Sequence, residues 1–133
     1  MTIEGLTAVA SGFGPKETMD RFAAAATAKG LTVFARIDHA AGAVAVGLPL
    51  RPTEVVIFGN ARGGTPLMQA AQTIGIELPL KALVYEDTAG KVWLAYNEPA
   101  WLARRHGLGH EVEPTVKALS AALAALAHAA TTP

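Results

Sequence analysis

Apolar positions along this chain repeat with a period that switches between two and about three and a half, and each switch marks an element. A short strand is expected around residues 7–9, after which "SGFG" turns the chain into a helix. Pro15 suits that helix's first turn, where its missing N–H would be unpaired anyway. Met19, Phe22, Ala23 and Ala26 share one face at helical spacing, and Gly30 ends the helix. "LTVFARID" alternates as a strand, with Val33, Ala35 and Ile37 on one face and Phe34, Arg36 and Asp38 on the other. "HAAGAVAVGL" fits a strand or a short helix; its alanines and Gly47 favour a helix capped by Asp38 or His39. "EVVIFGN" is apolar on both faces, which places it centrally in a sheet.

The second half is punctuated more clearly. A helix is expected from Pro66 to about Ile74, stopped by Gly75. "LKALVYED", "TAG" and "KVWLAYN" form a hairpin signal, two alternating runs around a turn ending in Gly90. Val84, Val92, Leu94 and Tyr96 then share the core face, with Tyr85 and Trp93 opposite. A short helix lies between Pro99 and Gly107. A last one runs over about 114–130, where Val112, Val116, Leu119, Leu123 and Leu126 form a stripe typical of core packing rather than of a coiled coil.

With 133 residues the chain is expected to be a single domain, 1–133, and 51% apolar against 17% charged residues predicts a packed core. Net charge is zero and the basic residues are scattered, with "ARRHG" the nearest to a cluster, so no nucleic-acid partner is expected. No cysteine is present, which excludes disulfides, thiolate zinc sites and cysteine nucleophiles. The first residues lack a basic region followed by an apolar run, and no stretch approaches the ~20 apolar residues of a membrane span. A cytoplasmic protein without a membrane partner is the resulting expectation.

The most pointed stretch is "VVIFGNARGGTPLMQAA", a strand, a glycine-bearing turn and a helix, the layout of a phosphate loop. It fails as a Walker loop, because Thr65 stands where the lysine belongs and Pro66 follows. Nor do Gly59, Gly63 and Gly64 give the dinucleotide-binding fingerprint. Two readings stay open. In one, Thr65 caps the helix, Pro66 fills its first position and the glycines permit the turn. In the other, an anion or carboxylate sits at the helix start, where free N–H groups favour negative charge and Arg62 assists.

"ARIDHAA", "RPTEVVIFGNARGGTPLMQAAQTIGIELPLKALVYED" and "GKVWLAYNEPAWLARRHGL" resemble the bacterial and archaeal family called domain of unknown function 302, over about 34–108. The resemblance implies an α+β fold like that of the TATA-binding protein: a curved, mainly antiparallel sheet with helices on one face. It also implies self-association, and it supplies no mechanism. Matching motif positions include Asp38, His39, Phe58, Asn60, Gly64, Thr65, Gln69, Glu86, Trp93 and Asn97. The chain departs from the family pattern at Ala61-Arg62, where Pro-Lys is common, and at Tyr85, where Trp is common. A positive charge survives at Arg62.

Three functions are therefore weighed. The first is a module that binds or senses a small molecule or anion, its ligand residues drawn from Asp38, His39, Asn60, Arg62, Gly64, Thr65, Gln69, Glu86, Trp93 and Asn97. The second is an enzyme, a lyase or hydrolase, using His39 with Glu86 as an acid–base pair; a hydrogen-bonded core His39 and turn-flanking Glu86 and Asp87 are the plainer alternative. The third is a homodimeric structural or interaction protein without a ligand, burying the aromatic sheet face to which Phe34, Phe58, Tyr85 and Trp93 are assigned. No cofactor can be named. His106 and His110 have i, i+4 spacing, but Gly107 and Gly109 interrupt the helix, so no metal site is expected.

Overall fold

The period-two runs become five strands and the longer periods become helices in the computed structural model, which describes residues 2–133. Strands β1 (Leu6–Ala10), β2 (Thr32–Asp38), β3 (Thr53–Gly59), β4 (Leu80–Glu86) and β5 (Val92–Asn97) form one sheet in the order β1-β5-β4-β3-β2. Every neighbouring pair is antiparallel. Helix α1 (Pro15–Ala28) carries the chain from one edge strand to the other. Helices α2 (His39–Ala45), α3 (Ala61–Ala70), α4 (Pro99–Arg105) and α5 (Glu113–Thr131) follow, with short 3₁₀ segments at Gln72–Glu77 and His110–Val112.

Alternation decides the core. Val56 and Phe58 of β3, Ala82 and Val84 of β4, and Val92, Leu94 and Tyr96 of β5 point to one face and are buried there. Against them pack Met19, Phe22 and Ala26 of α1 and Leu123, Leu126 and Ala130 of α5. The Phe22 and Phe58 rings meet edge to face at 5.1 Å. A second cluster joins Leu67 of α3, Ile74, Leu102 and Ala103 of α4, and Val112. The α+β expectation with helices on one face therefore holds, as do the hairpin register (Tyr85 opposite Trp93, Val84 opposite Leu94) and the Asp38 cap, whose Oδ1 accepts from the Ala41 amide at 2.9 Å.

Two local expectations are corrected. In β2, a bulge between Val33 and Ala35 resets the alternation: Val33 faces Phe58, whereas Ala35 and Ile37 pair with Ile57 and Val55 on the helix-free side. One extra residue in a strand moves everything beyond it to the other face. And α3 starts at Ala61, capped by Asn60, whose Oδ1 accepts from the Gly63 amide at 2.8 Å. Thr65 is thus not the cap, and Pro66 sits inside the helix rather than at its first position. The helix ends at Ala70, and the stretch around Gly75 is 3₁₀.

Candidate functional site

Where β3 runs out at Gly59, Asn60 turns the chain and caps α3, so the first turn of α3 projects toward α5. Gly63 and Gly64 are helical and have no positive φ, so they do not serve a turn. They serve proximity. A Cβ at Gly63 would lie 3.2 Å from Leu119 Cδ2, and one at Gly64 3.3 Å from Leu78 Cδ1.

Below this corner lies a cleft of about 590 Å³. Phe58, Leu123 and Leu126 contribute to its lining from the core, and Ala118 and Ala122 give α5 a low profile facing α3. Leu78 and Leu80 close the β4 side, and Met68 reaches in from α3. Phe34, displaced by the bulge, stands at the rim with 57% of its surface exposed. The lining residues with polar side chains are Asn60, Arg62 and Thr65, all on the corner. Arg62 takes part in none of the ion pairs among the described residues. Pro66 has no N–H, so the Arg62 carbonyl is left without its helical donor.

Four of the ten residues nominated from sequence thus meet at one cavity: Asn60, Arg62, Gly64 and Thr65. The others do not. Gln69 is exposed further along α3, and Asn97 is exposed at the end of β5. Asp38 is occupied as a helix cap. His39 is exposed on α2 rather than a core histidine, and Glu86 ends β4. Strand β3 lies between β2 and β4, two interstrand steps of about 4.8 Å each. His39 and Glu86 form none of the ion pairs among the described residues. Phe58 belongs to the core and Phe34 to the cleft rim, so only Tyr85 and Trp93 remain of the expected aromatic face.

Trp93 Nε1 donates to Asp87 Oδ2 at 2.9 Å, while Asp87 Oδ1 accepts from the Ala89 and Lys91 amides across the hairpin turn. The indole hydrogen bond first, then the Lys91 amide, hold the Asp87 carboxyl below its usual range. A depressed folded pKa means this contribution is complete above the ordinary aspartate value of ~3.9 and is lost as pH falls through the lowered one. Trp93 fluorescence is expected to change only below pH ~3.9, and Asp87→Asn should remove that transition; a midpoint at or above the ordinary value would contradict the hydrogen bonding.

The sequence reading missed two arrangements. His106 Nε2 donates to Glu77 Oε2 at 2.6 Å, and its Nδ1 lies 2.9 Å from Thr73 Oγ1. Arg105 also pairs with Glu77. Burial pushes the Glu77 carboxyl up, but the His106 and Arg105 hydrogen bonds outweigh it and hold the group low. This ties the 3₁₀ segment Gln72–Glu77 to α4. His110 instead pairs with Glu113, so the two histidines do not converge. A second hollow, about 540 Å³, is lined by Arg36 and Glu54. There Arg36 Nε and its second guanidinium nitrogen each donate to Glu54 at 3.0 Å, and Asp20 accepts from it at 2.9 Å, so the charges are internally matched.

With this geometry in view, the comparisons identify the class. The chain belongs to the family described as Domain of unknown function DUF302, matched over residues 7–126. A crystal structure of an uncharacterized conserved DUF302 protein from Bacillus stearothermophilus superposes with a TM-score of 0.85, covering 96% of this chain and 99% of that one. At 18% identity that likeness carries the fold alone. Two proteins named fluoride-specific ion channel FluC 1, from Brucella suis biovar 1 (strain 1330) and Brucella abortus biovar 1 (strain 9-941), are 52% identical over 115 residues. The match takes in 86% of this chain but only 45% and 43% of those proteins, so the chain spans less than half the length of these curated relatives. Among the described residues, no helix is long and apolar enough to cross a membrane.

Proposed function

We propose that this domain is a small-molecule binding module whose site is the cleft beneath the residue 60–65 corner. The observation that carries this reading is the cleft itself: about 590 Å³, inside the range of ~300–1,000 Å³ typical of ligand pockets. It has an apolar interior and polar groups on one side only. In the relatives named as fluoride channels, the matched segment would act as an appended sensing unit, since the rest of each protein lies outside the match.

The neutral fluorophore N-phenyl-1-naphthylamine is expected to bind one site per chain with enhanced emission. Ala122→Phe, which fills the cleft from α5, should abolish that site, and Ala118→Leu should weaken it. Unchanged binding in both folded variants would sink the proposal.

A second feature supports pairing of two copies. The helix-free sheet face carries half-buried Val55, Ile57, Leu83, Tyr85 and Trp93 beside exposed Ile37. A two-fold dimer would bury the same patch on each copy. Native mass spectrometry should show twice the chain mass, reduced to one chain by Leu83→Arg; a monomer at micromolar concentration would exclude it.

A further inference from the structure

The cleft is chemically lopsided, and that asymmetry narrows its ligand. Its interior is built from leucine, phenylalanine, methionine, alanine and proline side chains. No aspartate or glutamate lines it, and its one charged side chain is Arg62. Asn60 Oδ1 is already committed to the Gly63 amide, which leaves the Asn60 amide N–H₂ as its free function. Thr65 adds a hydroxyl on the same corner. The corner therefore offers hydrogen-bond donors and an unpaired cation, with no acidic group to oppose an anion. The positive end of the α3 dipole adds to this field in the same direction.

We infer that the cleft takes an anionic amphiphile: an aliphatic chain lying against Leu119, Leu123 and Leu126, and one anionic head group held by Arg62. This rests on the binding-module reading above and adds the ligand's class to it. A neutral apolar ligand would leave the Arg62 charge and the corner donors unused. A cationic one would meet Arg62 directly. A free inorganic anion would leave the apolar interior wet or empty, which is why the chain and the charge are required together.

The test is displacement of bound N-phenyl-1-naphthylamine by dodecanoate, dodecanol and dodecylammonium, each kept below its micelle concentration. Dodecanoate should bind roughly tenfold tighter than dodecanol, the size of one charge-assisted hydrogen bond, and dodecylammonium weakest. Arg62→Gln should collapse the dodecanoate-to-dodecanol ratio toward one, Arg62→Lys should keep most of it, and Arg104→Gln, on α4, should leave it intact. Equal binding of dodecanoate and dodecanol to the unaltered protein, or a ratio indifferent to Arg62→Gln, would overturn the inference. The two proposals fail separately. If Ala122→Phe leaves fluorophore binding intact, the cleft is not the site. If it removes binding while the ratio ignores Arg62, only the ligand class is wrong. Inorganic phosphate should displace nothing; displacement by phosphate alone would assign the corner to a free anion and reject the amphiphile.

Discussion

Phe22→Ala is expected to destabilise the fold by about 3–5 kcal/mol, a large share of the ~5–15 kcal/mol that holds a domain together. Phe22 is fully buried at the point where α1 meets the sheet, and its ring meets Phe58 at 5.1 Å with planes 72° apart. Truncation removes the transfer free energy of the ring and leaves a void, because the sheet below and α5 beside it cannot close far enough to fill it. Urea denaturation should show a lower midpoint with an unchanged slope, the mark of lost stability without a changed unfolded state. A double-mutant cycle with Phe58→Leu isolates the ring pair, for which ~0.5–1.5 kcal/mol of coupling is expected beyond area burial. A loss of under ~1 kcal/mol for Phe22→Ala would mean the core relaxes around the gap, contrary to close packing.

The parts of this fold that are read correctly from sequence are those set by neighbours in the chain. The hairpin is the clearest case: alternation fixes which residues share a face, and Gly90, at φ +80°, supplies the turn conformation that a residue with a side chain resists. The errors arise where distant residues decide. Pro66 makes Thr65-Pro66 the more conspicuous helix opening, although Asn60 is at least as good a cap. Yet the helix begins five residues earlier, because Asn60 caps it and because Gly63 and Gly64 fit against Leu119 and Leu78. The Asn60 cap is local, but Leu119 is more than fifty positions away, so no window around the corner contains the packing that goes with it. The β2 bulge is likewise invisible in "LTVFARID", whose pattern is regular; only pairing with β3 shows the extra residue.

The candidate site divides the same way. Its polar half, Asn60, Arg62 and Thr65, was legible because it is contiguous, and its apolar half was not, because it is assembled from β3, β4 and α5. A partial signal did exist. The α5 stripe through Leu119, Leu123 and Leu126 is flanked by Ala118 and Ala122, four residues apart, and small residues at that spacing lower one strip of a helix surface. Read as core packing alone, the stripe hides that part of it lines a cleft. His39 and Glu86 show the converse: chemically apt residues on elements separated by β3, with no ion pair between them among the described residues.

Gly5→Ala should cost about 2–5 kcal/mol, from two sources that a paired variant separates. Gly5 holds φ +76° in the turn before β1, where an alanine is penalised by about 1–2 kcal/mol. A Cβ there would also fall 2.3 Å from Cδ2 and 2.4 Å from Cγ of Trp101, so the indole would have to move, at about 1–3 kcal/mol more. Trp101 cannot move freely, since it packs against the cluster of Leu102 and Val112, and α4 is tied to this turn by the Glu98 amide donating to the Gly5 carbonyl at 2.7 Å. Gly90→Ala is the control: it has φ +80° with nothing within 4 Å, so it carries the conformational cost without the collision. The difference between the two variants in thermal or urea unfolding measures the Trp101 contact, and the Gly5 variant alone should shift Trp101 emission, read in a Trp93→Phe background. Equal costs for the two would show that the indole yields at no expense, and that the turn before β1 and α4 are not packed as a unit.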